Sequence, residues 1–150
     1  MKYSIIIPTL NEELTLTTNM SYLQELKKKL GAEIIIVDGR SNDNSKEISK
    51  SLTDKVYDSV PSRSLQLNEG VTHASGEYYI FLHVDTILDN NAINSILNIC
   101  DNFEWGFFQI KLDRKDLKYS FLAYCINLRS KLFNYCTGDQ VLIVRKSFFH

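Results

Sequence analysis

Three clusters and one loop in this 150-residue chain carry residue types that could do chemistry, and all follow or adjoin strongly apolar runs. His83 and Asp85 close the run Glu77-Tyr78-Tyr79-Ile80-Phe81-Leu82. Side chains alternate across a strand, so an imidazole and a carboxylate two residues apart face one side and can hold one ligand, a metal among them. Taken alone, a His-x-Asp is more often a packed histidine followed by a capping aspartate. Asp38 closes a second run, Glu33-Ile34-Ile35-Ile36-Val37, ahead of Gly39, Arg40, Ser41, Asn42, Asp43 and Asn44. It is either a ligand group or a turn residue satisfying the amides around Gly39. Arg63, Gln66 and Asn68 put a cation and two amides near a helix start, where phosphate and ribose oxygens can be bound. A solvated helix face is the plainer alternative there.

The elements that must position these groups alternate along the chain. Lys2 to Pro8 is a β-branched run closed by proline and reads as a first strand, with Thr9, Leu10 and Asn11 as the loop. Glu12 to Leu30 has apolar residues near helical spacing, lysines at its end and Gly31 as a stop. Glu33 to Asp38 is apolar on both faces, as strands of parallel sheets are. A helix over Ser45 to Leu52, a strand over Asp54 to Val60 and a helix from Ser62 or Ser64 to Gly76 follow. After Asp85 the pattern gives a helix from Asn90 to about Cys100, a strand over Trp105 to Leu112, a helix over Leu117 to Phe133 and a strand over Val141 to Arg145. The Leu117 to Phe133 helix mixes apolar residues with Lys118, Asn127, Arg129 and Lys131, so a core helix is expected, with a membrane-surface role left open. Ser147 to His150 reads as the first turn of a helix, and the pattern is expected to belong to a longer one. Ligands of open α/β sheets bind at the carboxyl ends of the strands, which is where His83, Asp85 and Asp38 fall.

Composition sets bounds on function. One domain fits this length. A net charge of -1 with 44% hydrophobic residues is that of an ordinary globular chain and gives no general basic surface for nucleic acid. The amino terminus lacks a signal-peptide pattern and no run reaches a membrane span, so a cytoplasmic location is expected. Cys100, Cys125 and Cys136 are odd in number, with no Cys-x-x-Cys, and are expected to be small buried hydrophobes.

Taken together, Ile5-Ile6-Ile7-Pro8-Thr9-Leu10-Asn11-Glu12-Glu13, Ile34-Ile35-Ile36-Val37-Asp38-Gly39-Arg40-Ser41-Asn42-Asp43, Arg63-Ser64-Leu65-Gln66-Leu67-Asn68-Glu69-Gly70 and Phe81-Leu82-His83-Val84-Asp85-Thr86 resemble family 2 glycosyltransferases, in the family's order. Trp105-Gly106-Phe107-Phe108, Asn127-Leu128-Arg129-Ser130 and Gly138-Asp139-Gln140 are similar to a bacterial subfamily labelled arsenosugar-biosynthesis glycosyltransferases. The resemblance implies a GT-A fold, a doubly wound, mostly parallel α/β sheet with helices on both faces. It also implies a nucleotide-diphosphosugar site. Pro8, Thr9, Asn11 and Glu12 would lie along the nucleotide, Asp38 would accept from base or ribose, and Arg63 with Asn68 would approach ribose and diphosphate. His83-Val84-Asp85 stands where the family carries Asp-x-Asp, so Asp85, with His83, would meet a divalent metal, Mn2+ or Mg2+. The family's Gly-Gly-Phe-like turn and acidic pair are not in this chain, which is therefore expected to be a single domain lacking the acceptor and base region. Asp139 is the nearest carboxylate on that side.

Three functions stand at this stage. The first is a metal-assisted inverting transferase moving sugar from a nucleotide-diphosphosugar to an unidentified acceptor hydroxyl, or the donor-binding part of one. The second is a non-catalytic nucleotide-sugar-binding module or remnant. The third, a sugar nucleotidyltransferase, is disfavoured because no Gly-rich basic phosphate loop follows the first strand.

Overall fold

The structure, a computed structural model, describes residues 2–112, 116–133, 136 and 140–149. Its centre is a six-stranded sheet of β1 (Tyr3–Thr9), β2 (Glu33–Asp38), β3 (Val56–Asp58), β4 (Tyr78–Phe81), β5 (Trp105–Phe107) and β6 (Leu142–Arg145), in the order β3-β2-β1-β4-β6-β5. The first four strands run parallel, and β6 is antiparallel to both of its neighbours. Connections leave β1 in one direction to β2 and β3 and in the other to β4, so the strand order reverses beside β1. That reversal is the crevice where such sheets take ligands.

The alternation of the strands explains the layers. Ile5, Ile7, Ile34, Ile36 and Ile80 turn to one face, where they pack with Leu16, Leu23 and Leu26 of helix α1 (Glu13–Leu30), Leu52 of α2 (Ser45–Leu52) and Ile93 and Ile96 of α4 (Asn90–Leu97). Ile6, Ile35, Val37, Tyr79 and Phe81 turn to the other, against Val71 of α3 (Arg63–Thr72). Phe149 of the short α6 (Lys146–Phe149) lies edge-on to Tyr79 there. The expected doubly wound, mostly parallel architecture is therefore what the chain forms.

Several expectations are corrected. The helix over residues 63–72 stops well before Gly76, whose role is close approach: a Cβ there would lie 2.7 Å from the backbone nitrogen of Ser4. The strand expected over Trp105 to Leu112 stops at Phe107. The Phe108 amide still donates to the Val141 carbonyl at 3.0 Å in the same register, but beyond it the Asn127 side chain takes both the amide and the carbonyl of Ile110 at 2.9 Å. Cys100 and Cys125 are exposed rather than buried, since α4 ends at Leu97 and Cys125 faces outward on α5 (Leu117–Phe133). The helix α5 itself is not a core helix: Phe121, Tyr124 and Leu132 are all more than half exposed. Leu14, one of the apolar residues at near-helical spacing between Glu12 and Leu30, is 83% exposed because the buried stripe runs through Leu16, Leu23, Leu26 and Leu30 instead.

Candidate functional site

The carboxyl ends of β1 and β2 pair Thr9 with Asp38, and the loops that leave them are tied to one another. Asp38 is buried, and its carboxylate accepts from the amide of Ser41 at 2.8 Å and from the Ser41 hydroxyl at 2.6 Å, with the Thr9 hydroxyl at 3.4 Å. The turn it holds contains Arg40 at φ 64, a left-handed conformation unfavourable for a side chain bearing a Cβ. Asn11, at φ 54, meets the same turn. Its side-chain oxygen accepts from the Asn42 amide at 2.8 Å while its own amide donates to the Ser41 hydroxyl at 2.9 Å. Asp38 thus braces the turn after Gly39, and its carboxylate orders the loop that any ligand at this edge would meet.

The same lacing caps two helices at once. Neither α1 nor α2 has a side-chain bond from its own N-cap residue. Instead the Asp43 carboxylate accepts from the amides of Glu13 at 3.1 Å and Ser45 at 3.0 Å, and the Glu13 carboxylate accepts from the Asn44 amide at 3.1 Å. The Glu12 amide donates to the Ser45 hydroxyl at 2.7 Å. These bonds satisfy helix-start amides that would otherwise be orphaned and put negative charge at both positive helix ends. Among its causes, the Ser45 hydroxyl bond comes first in holding the Asp43 carboxyl below its ordinary value.

Gln66 is the residue whose role sequence reasoning mistook. Rather than presenting an amide to solvent, it is buried, and its Nε2 donates at 2.8 Å to the carbonyls of both Thr9 and Val37. It clamps β1 to β2 just where the strands end. Its position one helical turn after Arg63 is the signal that could have revealed this, because the two share the sheet-facing side of α3. Asn68 lies elsewhere: exposed, it lines a shallow depression with Asp58, Val60, Leu65 and Thr72 on the outer flank of α3. The structure does not bring it to the other site residues.

Arg63 does arrive. Its Nη2 stands 3.2 Å from Nδ1 of His83, just beyond the carboxyl end of β4. A guanidinium only donates, so Nδ1 accepts and the ring proton sits on Nε2. Asp85 follows in an exposed turn, with the Thr86 hydroxyl 3.3 Å from its Oδ1. Pro8 and Thr9 lie in β1, and Asn11 and Glu12 in the loop after it, on this same edge of the sheet. Asp139, on the acceptor side in the sequence reading, lies outside the described residues. Among the described residues no three His, Cys, Asp or Glu side chains group to hold a metal ion. Asp85 thus offers an exposed carboxylate two residues on from an imidazole that accepts from the Arg63 guanidinium.

The Glycosyl transferase family 2 model matches residues 4–117, from β1 to the start of α5. The chain belongs to glycosyl transferase family 2. A relative, the poly(ribitol-phosphate) beta-N-acetylglucosaminyltransferase TarP of Staphylococcus aureus (strain N315), is 30% identical over 105 residues, covering 65% of this chain and 32% of that protein. The dolichyl N-acetyl-alpha-D-glucosaminyl phosphate 3-beta-D-2,3-diacetamido-2,3-dideoxy-beta-D-glucuronosyltransferase of Methanococcus voltae is 33% identical over 86 residues, 51% of this chain and 27% of that protein. The chain thus spans about a third of the length of these relatives. Among solved structures, the Pyrobaculum calidifontis mannosyltransferase PcManGT in complex with GDP-Man and Mn2+ superposes with TM-score 0.65 at 15% identity, over 97% of this chain and 45% of that one. Glucosyl-3-phosphoglycerate synthase of Mycobacterium tuberculosis, with Mn2+, UDP and glucosyl-3-phosphoglycerate, gives 0.66 at 16% identity, over 97% and 57%. At that identity the likeness is one of fold, and the fold is GT-A.

Proposed function

We propose that this chain is an inverting sugar transferase, or the donor-binding part of one, acting on a nucleotide-diphosphosugar. The observation that carries the reading is the convergence at one sheet edge, within a family 2 domain, of the laced β1 and β2 loops, the Arg63–His83 pair and the exposed Asp85. The nucleoside would lie along Pro8, Thr9, Asn11 and Glu12, over the turn ordered by Asp38. Arg63, oriented by His83, would hold the diphosphate, while Asn68 takes no part in the arrangement unless α3 turns. A divalent cation, Mn2+ or Mg2+, supplies charge neutralisation to a diphosphate leaving group when bound. Asp85 offers it a hard oxygen, whereas His83 already faces a guanidinium, so Asp85 is the stronger ligand choice. An acceptor hydroxyl, giving up its proton to a base, would then bond to the anomeric carbon as the bond to the diphosphate oxygen breaks and the nucleoside diphosphate leaves with the electron pair. Asp139 is proposed for the acceptor side.

The nucleotide and Mn2+ in the complexes of the two structural neighbours support this reading, as do the transferase names of the relatives. The motifs Trp105-Gly106-Phe107-Phe108 and Gly138-Asp139-Gln140 support a place near the arsenosugar-labelled subfamily, a neighbourhood that names no substrate. Calorimetric titration with UDP and GDP, each with Mn2+, Mg2+ or chelator, tests the proposal. Metal-dependent binding that disappears in Asp85→Ala is the expected outcome. Folded protein that binds neither nucleotide contradicts it.

A further inference from the structure

The helix α5 is built inside out. Its inward side is small and polar: Ala123 and Ser130 are buried, and Asn127 and Ser130 tie it down through bonds to Ile110 and to the Gln140 side chain, the latter at 2.9 Å. Its outward side carries Phe121, Tyr124, Leu128 and Leu132, three to four residues apart and therefore in one stripe, exposed by 68, 61, 41 and 67%. Lys118 and Lys131 flank this stripe on opposite sides by helical spacing, Arg129 lies on the Lys118 side, and no Asp or Glu occurs between residues 117 and 133.

We propose that this face of α5 is a docking surface for an anionic lipid membrane, on which the helix lies in the plane of the interface. The apolar stripe would enter the acyl boundary while the flanking lysines extend their chains up to acidic headgroups. The charge pattern selects this occupant. A second copy packing its own stripe on this one would bring lysine flanks against lysine flanks, whereas an anionic bilayer complements them. The helix lies on the membrane rather than through it, because no helix among the described residues is long and apolar enough to cross one.

The test is flotation of the full chain with phosphatidylcholine vesicles, with and without phosphatidylglycerol, at low and high salt, alongside light scattering for mass. Binding to the anionic vesicles alone is expected, weakened by salt. It should fall about tenfold both in Lys118→Glu/Lys131→Glu and in Leu132→Glu, all of them exposed positions. The wild-type salt and lipid dependence needs no variant and stands even if a substituted chain folds poorly. Failure to float with either vesicle, equal binding to both, or a dimer broken by Leu132→Glu without lipid binding would each overturn the proposal.

Discussion

The two ends of the sheet differ in whether they leave a carboxylate open. At the amino edge, Glu33 is 5% exposed and surrounded by donors: the Ser4 hydroxyl at 2.5 Å, the amide and hydroxyl of Ser75 at 2.7 and 2.8 Å, and the Lys55 ammonium. Ser4 in turn accepts from the Gly76 amide at 2.8 Å. Burial alone would push this carboxyl up, but the bonds from Lys55, Ser4 and Ser75 outweigh it and bring it down to about 2. At the carboxyl edge, Asp38 is likewise spent on its own loop, while Asp85 stands exposed in a turn with one neighbouring hydroxyl. A buried carboxylate held by several donors is a fastener. An exposed one with open acceptor sites can meet a ligand.

Removing the best fastener should have the largest effect. Glu33→Ala is expected to cost about 3 kcal/mol in urea unfolding at neutral pH, from the depression of its carboxyl below the ordinary 4.5. Because the folded value is the lower one, this stabilisation is complete above about pH 4.5 and is lost as pH falls toward 2, so acid unfolding of the wild type should steepen in that window and that of the variant should not. Nucleotide affinity of the folded variant should be unchanged. Loss of affinity there would break the division between the edges.

The clamp comes next. Gln66→Ala leaves the Val37 carbonyl without this side-chain donor and is expected to cost about 2 kcal/mol. It should also speed hydrogen exchange at Gly39, whose amide bonds to the Thr9 carbonyl, more than at Ser75. The crossed caps are smaller. Glu13→Ala and Asp43→Ala should each cost about 1 kcal/mol, and a double-mutant cycle should show them coupled, since each carboxylate serves a helix start beside the other. The smallest stability effect belongs to Asp85→Ala, within about 0.5 kcal/mol in thermal melting, although it is the change expected to abolish metal-dependent nucleotide binding.

How much of this could be read in the chain depended on periodicity. The continuous apolar run Glu33–Asp38 gave β2 its bounds, and Ser45–Leu52 and Leu117–Phe133 stand as helices over the residues expected. What periodicity could not supply was direction. The α5 helix carries polar residues on its inward side and apolar ones outward, the reverse of what its sequence pattern alone suggests, and three-dimensional contacts through Asn127 and Ser130 decide it. Gln66 and Glu33 were opaque for a related reason: a polar residue inside the fold is defined by partners far away in sequence, such as Thr9 and Ser4. Asp38 and Asp85 looked alike as strand-end carboxylates. Only the count of donors around each tells them apart.

The ligand should lie at the carboxyl edge, and paramagnetic broadening locates it directly. Adding UDP or GDP with substoichiometric Mn2+ to the isotopically labelled chain should broaden the amides of Val84 to Thr86 first and those of Gly39 to Ser41 next. Ser75 and Gly76 at the opposite edge should stay sharp. Broadening centred on Ser75 and Gly76, or nucleotide-dependent broadening that persists unchanged in Asp85→Ala, would contradict it.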